Sequence, residues 1–296
     1  MRSMTPTVVR IDRSSPQPRL LDATGPLISI EDEGYTRGDG AFETMLALDL
    51  TVRKLDLHLL RLAQSSRLLH LPRYDDADWQ AAIELALSAA PAGTPSELGA
   101  EHTVKLLLSR GTPAEGPYGL VVVSAVPEST IAQRRDGVRA MLLPRGHDPA
   151  EDTAYPWLLA GAKTLSYAVN MAVLRHVRSL GAQDAIFTAS DRRILEGATS
   201  SVIVARRDGD ALTLLTPEPS HGILPGTTQG AIFEGARADG WELGFGPLYP
   251  ADLLESDGVW LSSSVRLLAP VARLNNQALP VDRGLTDRLL GYLMSR

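Results

Sequence analysis

Residues 158–180, LLAGAKTLSYAVNMAVLRHVRSL, decide how the rest of the chain is read. The small residues Ala160 to Ala162 predict a turn. Leu165, Ala168, Val169, Ala172, Val173, His176 and Leu180 then recur at helical spacing, which predicts a helix over 165–180 with one buried face. Between turn and helix stands Lys163, the one charged side chain from residue 153 to residue 174. An amine held against apolar surface is poorly solvated as the cation, which favours the neutral form that attacks a carbonyl carbon. A surface lysine at a helix start fits the same spacing. The only other lysines are Lys54, in a polar connection, and Lys105, in a predicted strand, and both read as solvent-facing or snorkelling side chains.

Working outward, the N-terminal side predicts short strands at VVRID and PLISIEDEG, a strand at Thr44 to Leu48, helices over 56–70 and 76–90, and a loop over 91–102. TVKLLLSR and YGLVVVSA predict two strands around the turn GTPAEGP. Together these form an N-terminal α/β domain over 1–125, with a linker over 126–135, VPESTIAQRR. The C-terminal side, 136–296, predicts a second α/β domain. Its strands fall at Val138 to Leu143, Asp184 to Thr188, Ile194 to Glu196, 201–215 as a hairpin, and Gly258 to Ser262, and its helices at Thr228 to Asp239 and Leu285 to Met294. There is no internal repeat, and neither a Walker motif nor a dinucleotide glycine fingerprint.

Composition narrows the function. With 29 basic and 35 acidic residues the formal charge is −6, so no general basic field exists for nucleic acid or an anionic membrane. The absence of cysteine removes disulfides, thiolate nucleophiles and cysteine-type zinc or iron–sulfur sites. The histidines His58, His70, His102, His147, His176 and His221 show no metal-ligand spacing, so no metal is expected. No run of eighteen apolar residues and no leader pattern is present, which predicts a cytoplasmic protein.

Two further segments could carry chemistry. Glu196, in RRILEGATSSV, is either a turn residue or a carboxylate that pairs with the protonated nitrogen of a pyridine cofactor. In HGILPGTTQGAIFE, Gly226, Thr227 and Thr228 at a helix start can bind an anion through amides and hydroxyls, or can simply cap the helix.

The ordered set RGDGAFETM, HLLRL, AKTLSYAVNM, ILEGATSSV and GILPGTT resembles the fold-type IV enzymes dependent on pyridoxal 5'-phosphate, the class IV aminotransferase family, from about residue 20 to residue 280. That family includes branched-chain and D-amino acid aminotransferases and 4-amino-4-deoxychorismate lyases. The resemblance implies a two-domain α/β fold and a homodimer acting on a small amino substrate. It also implies that Lys163 carries the cofactor as a Schiff base and is the catalytic base, while Glu196 pairs with the ring nitrogen. Arg61, Thr227, Thr228 and Ser264 match the residues that hold the phosphate, and Tyr167 the tyrosine near the cofactor's phenolic oxygen. VKLLLSRG at 104–111 and SYAVNMAVLRH at 166–176 look most like the actinobacterial lyases, which release 4-aminobenzoate and pyruvate; branched-chain, D-amino acid or aromatic amine transamination is the alternative. Arg110 and Arg266 are the candidate clamps for substrate carboxylates, with Phe42 beside the substrate; a structural arginine at a sheet edge fits Arg110 equally. Glu43 stands where some bacterial lyases carry threonine, and glutamate there is common in aminotransferases.

Overall fold

The computed structural model describes residues 5–13, 15–146, 155–209, 211–219 and 222–294. The chain divides into two compact units, Met1–Glu128 with Ala162–Tyr167, and Ser129–Gly161 with Ala168–Arg296.

The first unit is an antiparallel sheet of β1 (Thr7–Asp12), β2 (Ser15–Leu21), β3 (Gly40–Leu48), β4 (Thr51–Val52), β5 (Thr94–Ser96), β6 (Gly99–Thr112) and β7 (Gly116–Ala125). Its order is β2-β1-β7-β6-β3-β4, with β5 against β6. In β3, Ala41, Glu43, Met45 and Ala47 are all buried, as the two-residue period of a strand requires for one face. Helices α1 (Glu33–Arg37), α2 (Leu55–Leu68) and α3 (Asp76–Ser88) complete the unit. The loop expected over 91–102 instead supplies β5 and the start of β6. Pro95 is tolerated because β5 is an edge strand, where a missing N–H costs no ladder bond. At the β6–β7 turn Gly111 has φ +74°, and a side chain there would collide with the Gly116 carbonyl.

Most of the segment read as a linker forms helix α4 (Glu128–Asp136). The second unit's sheet comprises β8 (Val138–Pro144), β9 (Asp184–Thr188), β10 (Ile194–Gly197), β11 (Ser201–Asp208), β12 (Ala211–Pro217), β13 (Glu242–Gly246), β14 (Gly258–Ser263), β15 (Leu267–Leu274) and β16 (Gln277–Ala278). Its order is β10-β9-β8-β15-β14-β11-β12-β13, with β16 on β15. The pairs β8/β9, β8/β15 and β12/β13 are parallel. Helices α5 (Ala168–Ser179), α6 (Thr227–Ala238), α7 (Pro250–Leu254) and α8 (Arg283–Met294) accompany it. Val202, Val204, Leu253, Leu261, Ala269 and Val271 lie in one buried cluster. Each large aliphatic among them contributes about 1.5–3 kcal/mol by burial. Two sheets with accompanying helices realise the two-domain α/β class that the sequence implied. Among the described residues no helix is long and apolar enough to cross a membrane.

The helix expected over 165–180 begins at Ala168 and buries a different face. Asn170, Leu174 and Val177 are inside, whereas Val169 is 57% and Leu180 53% exposed. The period was legible and the phase was not, because the apolar residues nearly encircle the helix. Leu165 belongs to another structure altogether.

Candidate active site

That structure is the lysine segment. Residues 162–167 belong to the first unit and add a short rung to the free edge of β3. Ala41 and Thr164 form an antiparallel bridge. The Phe42 amide donates to the Lys163 carbonyl at 3.0 Å, and the Leu165 amide to the Gly40 carbonyl at 2.8 Å. From α2, the buried Ser65 hydroxyl accepts the Lys163 amide at 3.0 Å. The lysine backbone is therefore fixed from both sides. Its Nζ lies 4.3 Å from the Phe42 ring centroid and 5.5 Å from that of Tyr167. The two rings meet edge-on at 5.2 Å, an arrangement that favours both the aromatic pair and a nearby cation. Phe42, Lys163 and Tyr167 are thus brought together.

Behind Phe42, Glu43 points to the opposite face of β3 and is fully buried. Arg61 Nε donates to Glu43 Oε1 at 2.6 Å and Nη2 to Oε2 at 2.8 Å, and His58 Nδ1 donates to Oε2 at 2.8 Å. Burial alone would push the Glu43 carboxyl up, but the hydrogen bonds and charges of Arg61 and His58 outweigh it and hold it at about 2. His58, Arg61 and Ser65, spaced i, i+3 and i+7, share one face of α2. One helix face therefore orients both the arginine expected to bind phosphate and the backbone of the lysine. Sequence reading singled out Arg61 and missed His58, Ser65 and the hub, Glu43. A carboxylate in the buried phase of a strand was the available signal.

The Arg110 fork engages Asp39, through Nε at 2.6 Å and Nη2 at 3.0 Å, and Nη2 also donates to the Leu69 carbonyl at 2.6 Å. These bonds brace the end of β6 against the turn before β3.

The second unit carries the rest of the set. Glu196, on β10, accepts the Leu224 amide at 3.3 Å, so the carboxylate also orders the loop leading into α6. Gly226 caps α6 with no side-chain bond to its first turn. A Cβ at Gly226 would meet the Ser201 hydroxyl, which would have to turn aside to admit it. The Thr227 hydroxyl lies 3.3 Å from that of Ser264, in the turn between β14 and β15, and Thr228 is buried beside it in the first turn of the helix. Converging hydroxyls at a helix N-terminus can receive a phosphate group. Arg266 is buried and already paired, its Nη1 donating to Asp184 Oδ2 at 2.7 Å and Gln133 Oε1 at 3.3 Å. Its Nε and Nη2, like the Ser262 hydroxyl, are buried without a protein partner, so this region holds hydrogen-bonding capacity that a bound polar group can meet. These residues fit a phosphate-bearing cofactor.

Among the described residues no cluster of histidine, aspartate or glutamate is arranged for a metal; His147 and His221 lie outside them. A cleft of about 940 Å³ lined by Arg13, Leu60, Arg67, His70 and Arg73 contains none of the residues above.

Fold and site together define a class, and the chain belongs to the amino-transferase class IV family, whose model matches residues 40–274. The bifunctional aminodeoxychorismate lyase / D-amino acid transaminase of Mycobacterium tuberculosis is 45% identical over 278 residues, covering 92% of this chain and 93% of that one. A solved structure described as a hypothetical aminotransferase from Mycobacterium tuberculosis, in its PLP-bound form, is 41% identical with a TM-score of 0.88, covering 98% of this chain and 99% of the other. A form with alpha-ketoglutarate and PMP bound is 40% identical with a TM-score of 0.87, covering 97% and 99%.

Proposed function

We propose that this chain is a pyridoxal 5'-phosphate-dependent enzyme that cleaves 4-amino-4-deoxychorismate to 4-aminobenzoate and pyruvate. The observation that carries the reading is the 45% identity, over nearly the whole of both chains, to a protein named for that lyase activity. The residue set supports it: an amine fixed against two aromatic rings, a carboxylate on β10, and hydroxyls converging at the start of α6.

Bound by this set, the cofactor supplies an electron-withdrawing ring that spreads negative charge from the carbon bearing the substrate nitrogen. The protein does the rest. Arg61, Thr227, Thr228 and Ser264 would hold the phosphate, Glu196 would keep a proton on the ring nitrogen, and Tyr167 would serve the phenolic oxygen. Lys163 holds the cofactor and moves the proton at the reacting carbon. Loss of pyruvate then leaves an aromatic ring, a strong driving force that transamination lacks. The enzyme works as a cytoplasmic homodimer on a small amino substrate.

A second reading has its own support, since the same relative is named a D-amino acid transaminase and the structurally similar aminotransferase binds alpha-ketoglutarate and PMP. The deciding experiment supplies aminodeoxychorismate without a keto acid and, separately, D- and L-amino acids with 2-oxoglutarate or pyruvate. Stoichiometric 4-aminobenzoate and pyruvate in the first reaction establish the lyase. Amino transfer without that cleavage overturns it in favour of a transaminase.

The phosphate assignment makes its own prediction. Thr227→Val and Ser264→Ala each weaken cofactor binding about tenfold, the scale of one hydrogen bond to a charged group. Equilibrium titration of the apoprotein with pyridoxal 5'-phosphate checks this, and unchanged affinity in both variants removes the two hydroxyls from the site.

A further inference from the structure

Helix α4 buries none of its residues fully, its apolar Ile131 and Ala132 being half-buried. It sends two adjacent side chains to one turn of its own unit. Arg134 Nη2 donates to the Val265 carbonyl at 2.6 Å and its Nε to the Arg266 carbonyl at 3.0 Å. Gln133 accepts from Arg266 Nη1, the nitrogen that also pairs with Asp184. The clamped turn carries Ser264, whose hydroxyl meets that of Thr227. It leaves through Leu267 at φ +62°, a left-handed conformation that costs a residue with a Cβ roughly 1–2 kcal/mol. Such a backbone persists only where its surroundings fix it.

We infer that Arg134 is a positioning residue for the phosphate end of the site, an inference that rests on the cofactor reading above. Two carbonyl oxygens in the turn beside Ser264 would repel a bound phosphate. The guanidinium fork draws both onto α4 and offsets their partial charge, which fixes Ser264 opposite Thr227. In a trans peptide the N–H points away from the carbonyl, so the same clamp turns the Arg266 and Leu267 amides away from α4. The segment leading from the first unit is in this way a strut for the anion site.

The test measures the affinities of the apoprotein for pyridoxal 5'-phosphate and for pyridoxal, which lacks the phosphate, in the wild type, Arg134→Ala and Arg134→Lys. The ratio of the two affinities is the readout, because a general structural defect weakens both ligands alike. The expected result is a ratio about tenfold smaller in Arg134→Ala and intermediate in Arg134→Lys, which retains the charge but not the fork. A wild type that prefers the phosphorylated ligand, with a variant that keeps the same ratio, overturns the inference. If Arg134→Ala does not fold, an unchanged ratio in Arg134→Lys overturns it equally. A wild type that does not discriminate between the ligands refutes the cofactor reading itself, and that outcome is read before any variant is made.

Discussion

Lys163→Ala lowers turnover by roughly 10³-fold or more at saturating cofactor. The backbone of residue 163 is held by bonds that alanine retains, the Phe42 amide to its carbonyl and its own amide to Ser65, so the substitution removes the amine and leaves the segment in place. What is lost is a base held 4.3 Å from the Phe42 ring, and no other lysine can replace it, since Lys54 caps α2 and the exposed Lys105 lies on β6. Lys163→Arg preserves the charge near the rings but not a base that works at neutral pH, so it loses activity too. Two measurements check this. Turnover is compared in wild type and variants, and mass spectrometry after borohydride treatment shows whether cofactor mass stays on the chain. The wild type retains that mass and Lys163→Ala does not. A variant within tenfold of wild-type turnover removes Lys163 from the chemistry.

What the sequence made legible follows from how far apart the interacting residues lie. Strands such as Asp184–Thr188 and the α6 start were readable because their signals are local: alternation, apolar runs, glycine before a threonine pair. The lysine segment was legible as an isolated charge, but its apolar Leu165 was assigned to a helix when it pairs with Gly40, 125 positions earlier. Arg110 and Arg266 each bond a carboxylate far off in the chain, Asp39 at 71 positions and Asp184 at 82, a spacing that carries no sequence pattern. Glu43 was noticed only as a departure from some relatives. Its place among Ala41, Met45 and Ala47 on the buried face of β3 marked it as a charge needing buried partners, and His58 and Arg61 on the next helix are those partners.

That hub carries the second large effect. Glu43→Gln costs about 3–5 kcal/mol of stability, because it leaves the Arg61 guanidinium buried without the charge that balances it. For a chain of this size the melting temperature falls on the order of 10 °C. Cofactor affinity falls as well, since Glu43 fixes the plane of the arginine assigned to the phosphate. The pH dependence gives a sharper test. The Glu43 carboxyl, at about 2 in the fold against an ordinary 4.5, binds its proton more readily in the unfolded chain. Its contribution is therefore fully present above about pH 4.5 and is lost as pH falls through about 2, amounting to about 3 kcal/mol over that window. Denaturant unfolding at intervals between pH 3 and pH 6 should show the wild type losing stability toward acid more steeply than Glu43→Gln, with the gap between the two proteins narrowing as pH falls. Parallel curves would mean that the buried carboxylate is not what Arg61 and His58 are held by.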